Sequence, residues 1–263
     1  MLKLLHGKRG LIMGVANDRS IAWGIAKEAY LNGAKLAFTF QDDMFFDRIQ
    51  KLALSVESDE IIKCNVENKD EISSVFRTLK DSWGNLDFIV HAIAFSEKDE
   101  LKGRYSNTSR KNFMKTMLIS SFSLTEICNE ALPLMKGSID GGSIITLSYI
   151  GGKRTTPNYN VMGVAKAALE ASVKYLSVDL GNDNIRVNSL SAGPMRTLAG
   201  SAISGARHVF RHTEKNSPLG KNPSLSDVGK AGVYLLSNLS SGVTGENHNV
   251  DSGFNIIAVP KDI

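Results

Sequence analysis

The chain has 263 residues, 42% of them hydrophobic and 22% charged, and its 31 basic and 27 acidic side chains leave a net charge of +4. This ordinary globular balance excludes an intrinsically disordered chain, and the lack of any apolar run near the roughly 18 residues of a membrane span excludes a transmembrane helix. Two distant cysteines, Cys64 and Cys128, exclude a disulfide framework, and with the lack of a signal-peptide core they indicate a cytoplasmic protein.

Strand-like and helical patterns alternate along the chain. The strand-like patterns, mostly continuous apolar runs, are Arg9–Met13, Lys35–Thr39, Glu60–Cys64, Leu86–Ala92, Gly142–Leu147, Ile185–Leu190 and Asn249–Val250. The helical patterns lie near Ile21–Asn32, Asp43–Ser55, Asp70–Trp83, Arg110–Leu134, Tyr159–Leu180 and Asp227–Leu236. Continuous apolar strands are typical of a parallel sheet covered on both faces. We therefore predict one α/β domain over residues 1–263, a Rossmann-like doubly wound parallel sheet of about seven strands with helices on both faces.

One long segment, Gly193–Pro223, fits neither pattern well. It is rich in Gly and Ser and has only a weak helical middle, Ala199–Phe210. A loop of this length in a compact domain is typically a functional lid, although it can also be a surface excursion. Because it follows the carboxyl end of a predicted strand, where α/β sheets bind ligands, we favour a mobile substrate-binding segment over about residues 194–220.

The turn after the first strand has the residue types of a phosphate-binding loop. It reads Gly14-Val-Ala-Asn-Asp-Arg-Ser-Ile-Ala-Trp-Gly24 and leads directly into a helix. The small residues Gly14 and Ala16 allow the backbone to approach a pyrophosphate, and Ser20 offers a hydroxyl where the helix N-terminus attracts an anion. Glycines after a strand are also common in ordinary turns, so the pattern alone leaves both interpretations open.

The end of the second strand bears on the choice between NADH and NADPH. Gln41 is followed by two acids, Asp42 and Asp43, and by no nearby base. At this position of the fold an acid or amide contacts the adenosine ribose, whereas a base accommodates a 2′-phosphate. Because the two carboxylates would repel a phosphate, we predict NADH and regard NADPH as the less favoured cofactor. The same acids can also simply begin the next helix.

The sixth helical pattern places Tyr159 and Lys166 on one helix face, with about 10 Å of helical rise between them. Lys166 leans back towards Tyr159, and an ammonium near a phenol lowers the phenol's pKa. Such a pair can hold a cofactor ribose and stabilise an oxyanion, although the spacing also recurs by chance. Tyr149, at the end of the preceding strand, either points into the same site or has a packing role.

Taken together, the motifs resemble those of one known family. The turn fits G-x5-S-I-A-x-G from Gly14 to Gly24, and Leu147–Lys166 fits Leu-Ser-Tyr-(x9)-Tyr-Asn-Val-Met-Gly-x-Ala-Lys. Residues Ala192–Leu198 match as well. On these motifs the chain resembles, over essentially its whole length, the bacterial enoyl-acyl-carrier-protein reductases. This divergent branch of the short-chain dehydrogenase/reductase superfamily carries Tyr-x6-Lys in place of the usual Tyr-x3-Lys.

The resemblance implies an oxidoreductase of fatty acid biosynthesis that uses NADH to reduce the trans-2 double bond of an enoyl thioester. Hydride goes to the β-carbon, Tyr159 stabilises the resulting enolate, Lys166 holds the nicotinamide ribose, and Tyr149 lies beside the acyl chain. The implied cofactor contacts are Gly14, Ala16, Ser20, Ile21, Gln41, Asn65, Val66, Ile93, Lys166, Met195, Thr197, Leu198 and Ala199. The implied substrate contacts are Ser96, Tyr149 and Met162.

Three positions depart from the pattern of many relatives. Asn65 stands where many have Asp, so we expect weakened but not abolished recognition of adenine. Ala94 stands where many relatives have Gly, and Ser96 stands where many have Ala. We expect the added methyl group of Ala94 and the added hydroxyl group of Ser96 to narrow the pocket near the nicotinamide. These departures bear on substrate and inhibitor preference and leave the reaction class unchanged.

Two other functions fit the same fold. A carbonyl or alcohol dehydrogenase calls for Tyr-x3-Lys and a Ser about 13 residues before the Tyr, and Thr146 stands at that distance. A catalytically silent nucleotide-sensing regulator is expected to lack the Tyr or the Lys, and both are present. His91, at the end of the fourth strand, is interpreted as a structural histidine whose hydrogen bonds are satisfied.

The expected partners follow from the same resemblance. Acyl carrier protein carries the substrate, and basic residues of the mobile segment either attract it or form a merely solvated face: Arg196, Arg207, Arg211 and Lys215. The superfamily forms dimers through the two longest helical patterns, and a homotetramer is expected. We expect no nucleic-acid partner, because no basic stripe with aromatics is present, and no membrane contact. No metal site is expected, because His208 and His212 lack further ligands at suitable spacing.

Overall fold

The computed structural model describes residues 3–136, 138 and 140–260, which form one parallel sheet covered by helices on both faces. The strands are β1 Arg9–Met13, β2 Lys35–Phe40, β3 Glu60–Lys63, β4 Phe88–His91, β5 Gly142–Ser148, β6 Ile185–Ala192 and β7 Asn247–Val250. Their order in the sheet is β3-β2-β1-β4-β5-β6-β7, with every pairing parallel. The predicted doubly wound Rossmann-like sheet of seven strands is confirmed.

The α-helices of the described residues are α1 Ile21–Leu31, α2 Phe46–Leu54, α3 Lys69–Trp83, α4 Arg110–Met117, α5 Ser123–Met135, α6 Asn160–Gly181, α7 Leu198–Ala202, α8 Ala206–Asn216 and α9 Leu225–Leu236. Six of these nine helices cover the sheet, three on each face: α3, α5 and α6 on one, and α1, α2 and α9 on the other. Leu11 and Ile89 contribute to the core beneath α3, α5 and α6, whereas Ile12 and Val90 contribute to the core beneath α1, α2 and α9. Both faces of the central strands are buried, which is why these strands read as continuous apolar runs.

The single helix predicted over Arg110–Leu134 is wrong in one respect. The structure has two α-helices, α4 and α5, joined by a π-helical turn at Leu118–Phe122. Within that turn the Ser120 hydroxyl accepts a hydrogen bond from the Phe95 amide and donates one to the Phe95 carbonyl. These contacts come from a distant loop, so hydrophobic periodicity within the helix cannot reveal them.

The segment Gly193–Pro223 is more ordered than the weak helical middle predicted at Ala199–Phe210. It contains α7 and α8, and the two helices are separated by a turn in which Gly205 has a φ of +79°. The buried residues of α8 include Thr213 and Asn216, which are polar. Because the part of α8 beyond Phe210 buries these polar residues and no apolar ones, the predicted helix ended too early at Phe210.

The topology determines where a ligand can bind. β1 lies between β2 and β4, so the direction of the chain connections reverses on the two sides of β1. In open α/β sheets this reversal leaves a crevice at the carboxyl ends of the strands. Among the described residues, no helix combines the length and the apolar character needed to cross a bilayer.

Candidate active site

A cavity of about 1360 Å³ opens at the carboxyl ends of β1, β4, β5 and β6. Most of the predicted site residues line it, namely Gly14, Ala16, Ser20, Ile21, Ile93, Ser96, Tyr149, Tyr159, Met162, Lys166, Met195, Thr197, Leu198 and Ala199. The predicted adenosine contacts Gln41, Asn65 and Val66 do not line this cavity and follow the ends of β2 and β3 instead. The fold therefore gathers residues from five separate parts of the sequence at this cavity.

The turn after β1 is shaped for close approach. Gly14 has a φ of +93°, and a Cβ at this position would lie 2.1 Å from the Ala92 carbonyl oxygen, so only glycine fits. The Ser20 hydroxyl accepts hydrogen bonds from the amides of Ala16 and Asn17 at 3.0 and 3.1 Å. A hydroxyl that accepts two bonds still has its own hydrogen to donate, so Ser20 can bind a phosphate oxygen.

The start of α1 completes a site for an anion. The helix begins at Ile21, directly after the turn, and its first turn contains no acidic residue. The first amides of a helix have no acceptor within it, and the helix dipole places partial positive charge there. This turn and helix start therefore fit the pyrophosphate of a dinucleotide.

At the adenosine end the structure corrects the argument about charge. Lys63, the last residue of β3, forms an ion pair with Asp43 at 2.9 Å. The Arg48 guanidinium of α2 donates to the Ala16 carbonyl at 3.4 Å. The sequence places no base close to Gln41 along the chain, whereas the fold brings Lys63 of β3 to one of the two acids that follow Gln41. Lys63 balances the charge of one of the two acids, although the pair is exposed and weak.

Asn65 uses much of its hydrogen-bonding capacity locally. Its side-chain oxygen accepts a hydrogen bond from the Glu67 backbone amide at 3.1 Å, and its backbone amide donates one to the Glu71 carboxylate at 2.7 Å. An amide oxygen has a second lone pair, so it can still accept from the amino group of adenine. This geometry is compatible with the weakened adenine contact predicted from the sequence.

Lys166 also lines the cavity and is only 6% exposed. Its Nζ donates to the Leu147 carbonyl at 2.6 Å. Desolvation lowers the pKa of Lys166 to about 8, and the negative charge of Glu170 opposes that shift. An ammonium has three hydrogens, so Lys166 can donate to ribose hydroxyls as well as to Leu147.

Tyr159 is the N-cap residue of α6 and not, as predicted, part of the helix. Its buried ring packs edge-on against Tyr149, with centroids 5.2 Å apart and ring planes at 67°. Burial raises the pKa of Tyr159, so the predicted lowering by Lys166 is wrong. Lys166 directs its ammonium to Leu147, and desolvation of the phenol dominates. Tyr159 is therefore a neutral hydrogen-bond donor.

The turn Ile150–Gly152 fixes the orientation of the Tyr159 ring. A Cβ at Gly151 would lie 2.5 Å from the ring, and a Cβ at Gly163 would lie 2.8 Å from the Gly151 carbonyl oxygen. Distances this short are available only to glycine, so the backbone of the turn packs directly on the ring and on α6. The Gly-Gly turn that precedes Tyr159 thus serves close packing.

Two polar residues that the sequence patterns did not single out support the lining of the cavity. Asn112, only 2% exposed, accepts from the Glu97 amide at 3.0 Å and donates to the Ser96 hydroxyl at 3.2 Å. Ser120 binds both backbone groups of Phe95. Together they fix the loop after β4 that carries the predicted substrate contact Ser96. In the sequence, these two residues are marked only by being polar side chains at helix positions that an apolar pattern would bury.

His91 is fully buried, and both of its ring nitrogens have partners. Nδ1 lies 2.9 Å from the Thr146 hydroxyl and Nε2 lies 2.9 Å from the Ser123 hydroxyl. Burial and the nearby Lys166 lower the pKa of His91 to about 3, so the imidazole is neutral at physiological pH. The interpretation of His91 as a satisfied structural histidine is confirmed.

The structure weakens the alternative of a carbonyl or alcohol dehydrogenase. Thr146, at the position expected for the catalytic Ser, is buried and donates its hydroxyl to the His91 carbonyl. Tyr149 has a lysine four residues later, Lys153, but this lysine is exposed and follows a 3-10 turn. Tyr149 and Lys153 therefore do not share the helix face on which such a pair would act.

The segment of residues 194–220 forms one wall of the cavity. Thr197 caps the start of α7, and the Arg196 guanidinium lies 4.7 Å from the centre of the Phe210 ring. Asn158, next to Tyr159, donates to the Ser204 carbonyl at 2.9 Å. These contacts connect α7 and α8 to the residues around Tyr159.

Comparison with known proteins gives a consistent result. The family model described as "Enoyl-(Acyl carrier protein) reductase" matches residues 14–255. Enoyl-[acyl-carrier-protein] reductase [NADH] 2 of Rhizobium meliloti is 56% identical over 98% of this chain and 95% of that protein. The crystal structure of FabI from Candidatus Liberibacter asiaticus has a TM-score of 0.96 and 54% identity, covering 99% of this chain and 100% of the other. The Anaplasma phagocytophilum enoyl-(acyl-carrier-protein) reductase in complex with NAD has a TM-score of 0.94 and 50% identity, covering 98% and 97%.

Proposed function

The chain belongs to the enoyl-(acyl carrier protein) reductase family, and on this premise we propose that Tyr159 and Lys166 carry out its reaction. The enzyme is an oxidoreductase of fatty acid biosynthesis that reduces the trans-2 double bond of an enoyl thioester, and its cofactor is NADH. One observation supports the residue assignment above all. Tyr159 and Lys166 line the same cavity as the phosphate-binding turn after β1.

Tyr159 stabilises the charge that develops on the substrate. NADH, when bound, supplies the hydride that adds to the β-carbon of the enoyl thioester. Negative charge then moves to the thioester oxygen, and the neutral Tyr159 phenol donates a hydrogen bond to it. Because Tyr159 is buried and its ring is fixed by Tyr149 and Gly151, this donor is already oriented before the charge forms. Protonation at the α-carbon completes the reduction.

Lys166 holds the cofactor ribose. Its bond to the Leu147 carbonyl directs the ammonium to the end of β5, beside the cavity. With a pKa of about 8 it is still mainly charged near neutral pH. A buried ammonium with hydrogens to spare is a strong donor for a ribose hydroxyl.

The remaining contacts divide between cofactor and substrate. Gly14, Ala16, Ser20 and Ile21 bind the pyrophosphate, Gln41, Asn65 and Val66 bind the adenosine, and Ile93, Met195, Thr197, Leu198 and Ala199 bind along the rest of the cofactor. On the substrate side, Tyr149 and Met162 lie beside Tyr159 in the cavity, and Ser96 is positioned by Asn112. We propose a single domain in which the segment 194–220 moves to admit the acyl chain, with Gly205 between α7 and α8 as a hinge.

The substrate arrives as a thioester on acyl carrier protein. We propose that the exposed basic residues of the segment 194–220 attract this partner, namely Arg196, Arg207, Arg211 and Lys215. Charges of one sign around a cavity entrance raise the association rate of an acidic partner, and this effect decreases with ionic strength.

The assembly proposed for the enzyme is a homotetramer. An exposed apolar depression lies between α4, the π turn and α6, lined by Phe113, Met114, Met117, Leu118, Ser121, Phe122, Ala168 and Ser172. An exposed apolar patch of this kind favours contact with a second protein surface, and a second copy of the chain is the occupant we propose. Cys64 and Cys128 are buried free thiols, in agreement with the reducing cytoplasm that we propose as its location.

The test of the function compares two thioesters. We expect the absorbance band of NADH to decrease when the enzyme is mixed with crotonyl thioester and to persist with acetoacetyl thioester. Loss of the band with acetoacetyl thioester alone would establish a carbonyl reductase and overturn the assignment. Repeating both assays with NADPH measures the cofactor preference directly.

A further inference from the structure

Two hydrogen bonds join the end of β5 to α6, directly beside the site. Lys166 donates to the carbonyl of Leu147, and the hydroxyl of the next residue, Ser148, donates to the Glu170 carboxylate at 2.6 Å. Lys166 and Glu170 are one helical turn apart, so consecutive residues of the strand meet consecutive turns of the helix. Ser148 is buried and Glu170 is half-buried, which makes this bond stronger than one in open solvent.

Glu170 also contacts the turn that carries the second tyrosine. A Cβ at Gly152 would lie 3.2 Å from the Glu170 carboxylate oxygen that binds Ser148. Ser148 and Gly152 are the residues on either side of the stretch that begins with Tyr149. The carboxylate therefore binds the residue before Tyr149 and lies close to the end of the turn that follows it, and the Tyr149 ring in turn packs on Tyr159.

The charge of Glu170 has a second effect, on Lys166. Desolvation lowers the pKa of this lysine, and Glu170 is the group that raises it. The other ionisable groups near Lys166 are Tyr149, Tyr159 and His91, and all three are uncharged near neutral pH. Glu170 is therefore the anion that balances the buried ammonium among the described residues.

Helices α4 and α5 also pack on α6, and their charged residues are Arg110, Lys111, Lys115, Glu126 and Glu130. None of these is among the groups that shift the pKa of Lys166, whereas Glu170 is. β5, the turn Ile150–Gly152 and the π turn Leu118–Phe122 contain no ionisable side chain. In β6 the only charged residue is Arg186, which is bound to Ser240 at the opposite end of the strand. The 3-10 turn Lys98–Leu101 meets α6 at its first residue, where Asn160 donates to a carbonyl of that turn.

We propose that Glu170 is a positioning residue for the reduction: through Ser148 it fixes the Tyr149 turn on α6, and its charge balances the ammonium of Lys166. This proposal rests on the proposed function of Lys166 as the residue that holds the cofactor ribose. It assigns to Glu170 no contact with substrate or cofactor. Its effect is transmitted through Ser148, Tyr149 and Lys166.

The experiment separates the charge of Glu170 from its hydrogen bond. Glu170→Gln keeps an acceptor for Ser148 and removes the charge, whereas Ser148→Ala keeps the charge and removes the bond. Asp179→Asn is the matched control, since it removes an exposed carboxylate from the same helix. For each variant, NADH affinity is measured by fluorescence titration, and kcat and KM for crotonyl thioester are measured from pH 6 to 9.

In the wild type, NADH affinity should decrease as the pH rises through the pKa of Lys166, and this decrease is the alkaline limb of the binding profile. For Glu170→Gln we expect the alkaline limb to shift by about one unit to lower pH. Removing a nearby anion lowers the pKa of Lys166, so the charged form is lost at lower pH. A one-unit shift from a pKa of about 8 weakens NADH binding about fivefold at pH 8 and less than twofold at pH 6.5. Ser148→Ala is expected to raise the KM of the thioester several-fold at every pH without moving the limb.

Two results would overturn the proposal. One is a Glu170→Gln variant that folds and retains the wild-type limb, and the other is an equal shift in Asp179→Asn. If Glu170→Gln does not fold, Ser148→Ala decides the positioning role, because an unchanged thioester KM contradicts it. A wild-type enzyme that binds NADH but does not reduce crotonyl thioester would overturn the proposed function instead, and the NADH titrations would still report on Glu170.

Discussion

Burial acts on the two principal side chains of the site so that both remain hydrogen-bond donors near neutral pH. Desolvation favours the uncharged form of each group, which raises the pKa of the Tyr159 phenol and lowers that of the Lys166 ammonium. The phenol keeps its proton throughout the physiological range. The ammonium, with a pKa of about 8, loses its proton only as the pH rises through that value. Binding that depends on Lys166 is therefore strong below pH 8 and weakens above it.

We expect substitutions of these two residues to affect different measured quantities. Tyr159→Phe removes the proposed oxyanion donor and should lower kcat by about 10²–10³-fold while NADH affinity is kept. Lys166→Ala should mainly weaken NADH binding, as measured by fluorescence titration. Tyr105→Phe, an exposed tyrosine outside the cavity, is the control. Wild-type NADH affinity in Lys166→Ala would show that the role assigned to this lysine is wrong.

Among the secondary-structure elements, those that bury apolar residues on both sides were predictable, and those shaped by polar contacts were not. Most of the strands and their parallel pairing follow from continuous apolar runs such as Phe88–His91, since only a doubly covered sheet buries them. The π turn Leu118–Phe122 and helix α8 depend on hydroxyl and amide groups that meet partners distant in the sequence. Periodicity carries no information about such partners, so it predicted one helix and one loop.

The same limit applied to the site. The glycine-rich turn and the Tyr–Lys pair are local in the sequence, so their place in the cavity was predictable. The ion pair of Lys63 with Asp43 and the support of Ser96 by Asn112 join separate elements. They became visible only when the strand order brought those elements together.

The turn Ile150–Gly152 provides a test at the scale of an element. Gly151→Ala places a Cβ about 2.5 Å from the Tyr159 ring and should displace that ring, lowering kcat and destabilising the fold by about 1–3 kcal/mol. The matched control is Gly181→Ala at the end of α6, where a Cβ meets no atom within 4 Å. This control should keep wild-type kcat and gain up to about 1 kcal/mol of stability. Thermal unfolding and steady-state kinetics measure both effects, and wild-type kcat in Gly151→Ala would contradict the role of the turn.

For the whole molecule, two buried basic groups make stability depend on pH. Both His91 and Lys166 have a lower pKa in the folded protein than in the unfolded chain. The unfolded chain therefore binds more protons, and the free energy of unfolding rises with pH in each titration range. For His91 that range runs from about 3 in the folded state to the ordinary 6.5, and for Lys166 from about 8 to 10.5. Below pH 6.5, His91 is protonated in the unfolded chain but stays neutral in the folded protein until the pH approaches 3.

We accordingly expect the protein to lose stability as the pH falls from 6.5 towards 3, with His91 contributing at most about 1.4 kcal/mol per pH unit. His91→Gln removes this titration, so the urea midpoint of the variant should decrease less steeply in acid than that of the wild type. At pH 7 the midpoint of the variant should be lower than that of the wild type. The lower midpoint follows because the side-chain contacts with Thr146 and Ser123 are disturbed. His6→Gln, at an exposed histidine, is the control. Urea unfolding at fixed protein concentration across this range measures the slopes, and equal acid slopes in His91→Gln and wild type would mean that other groups cause the loss.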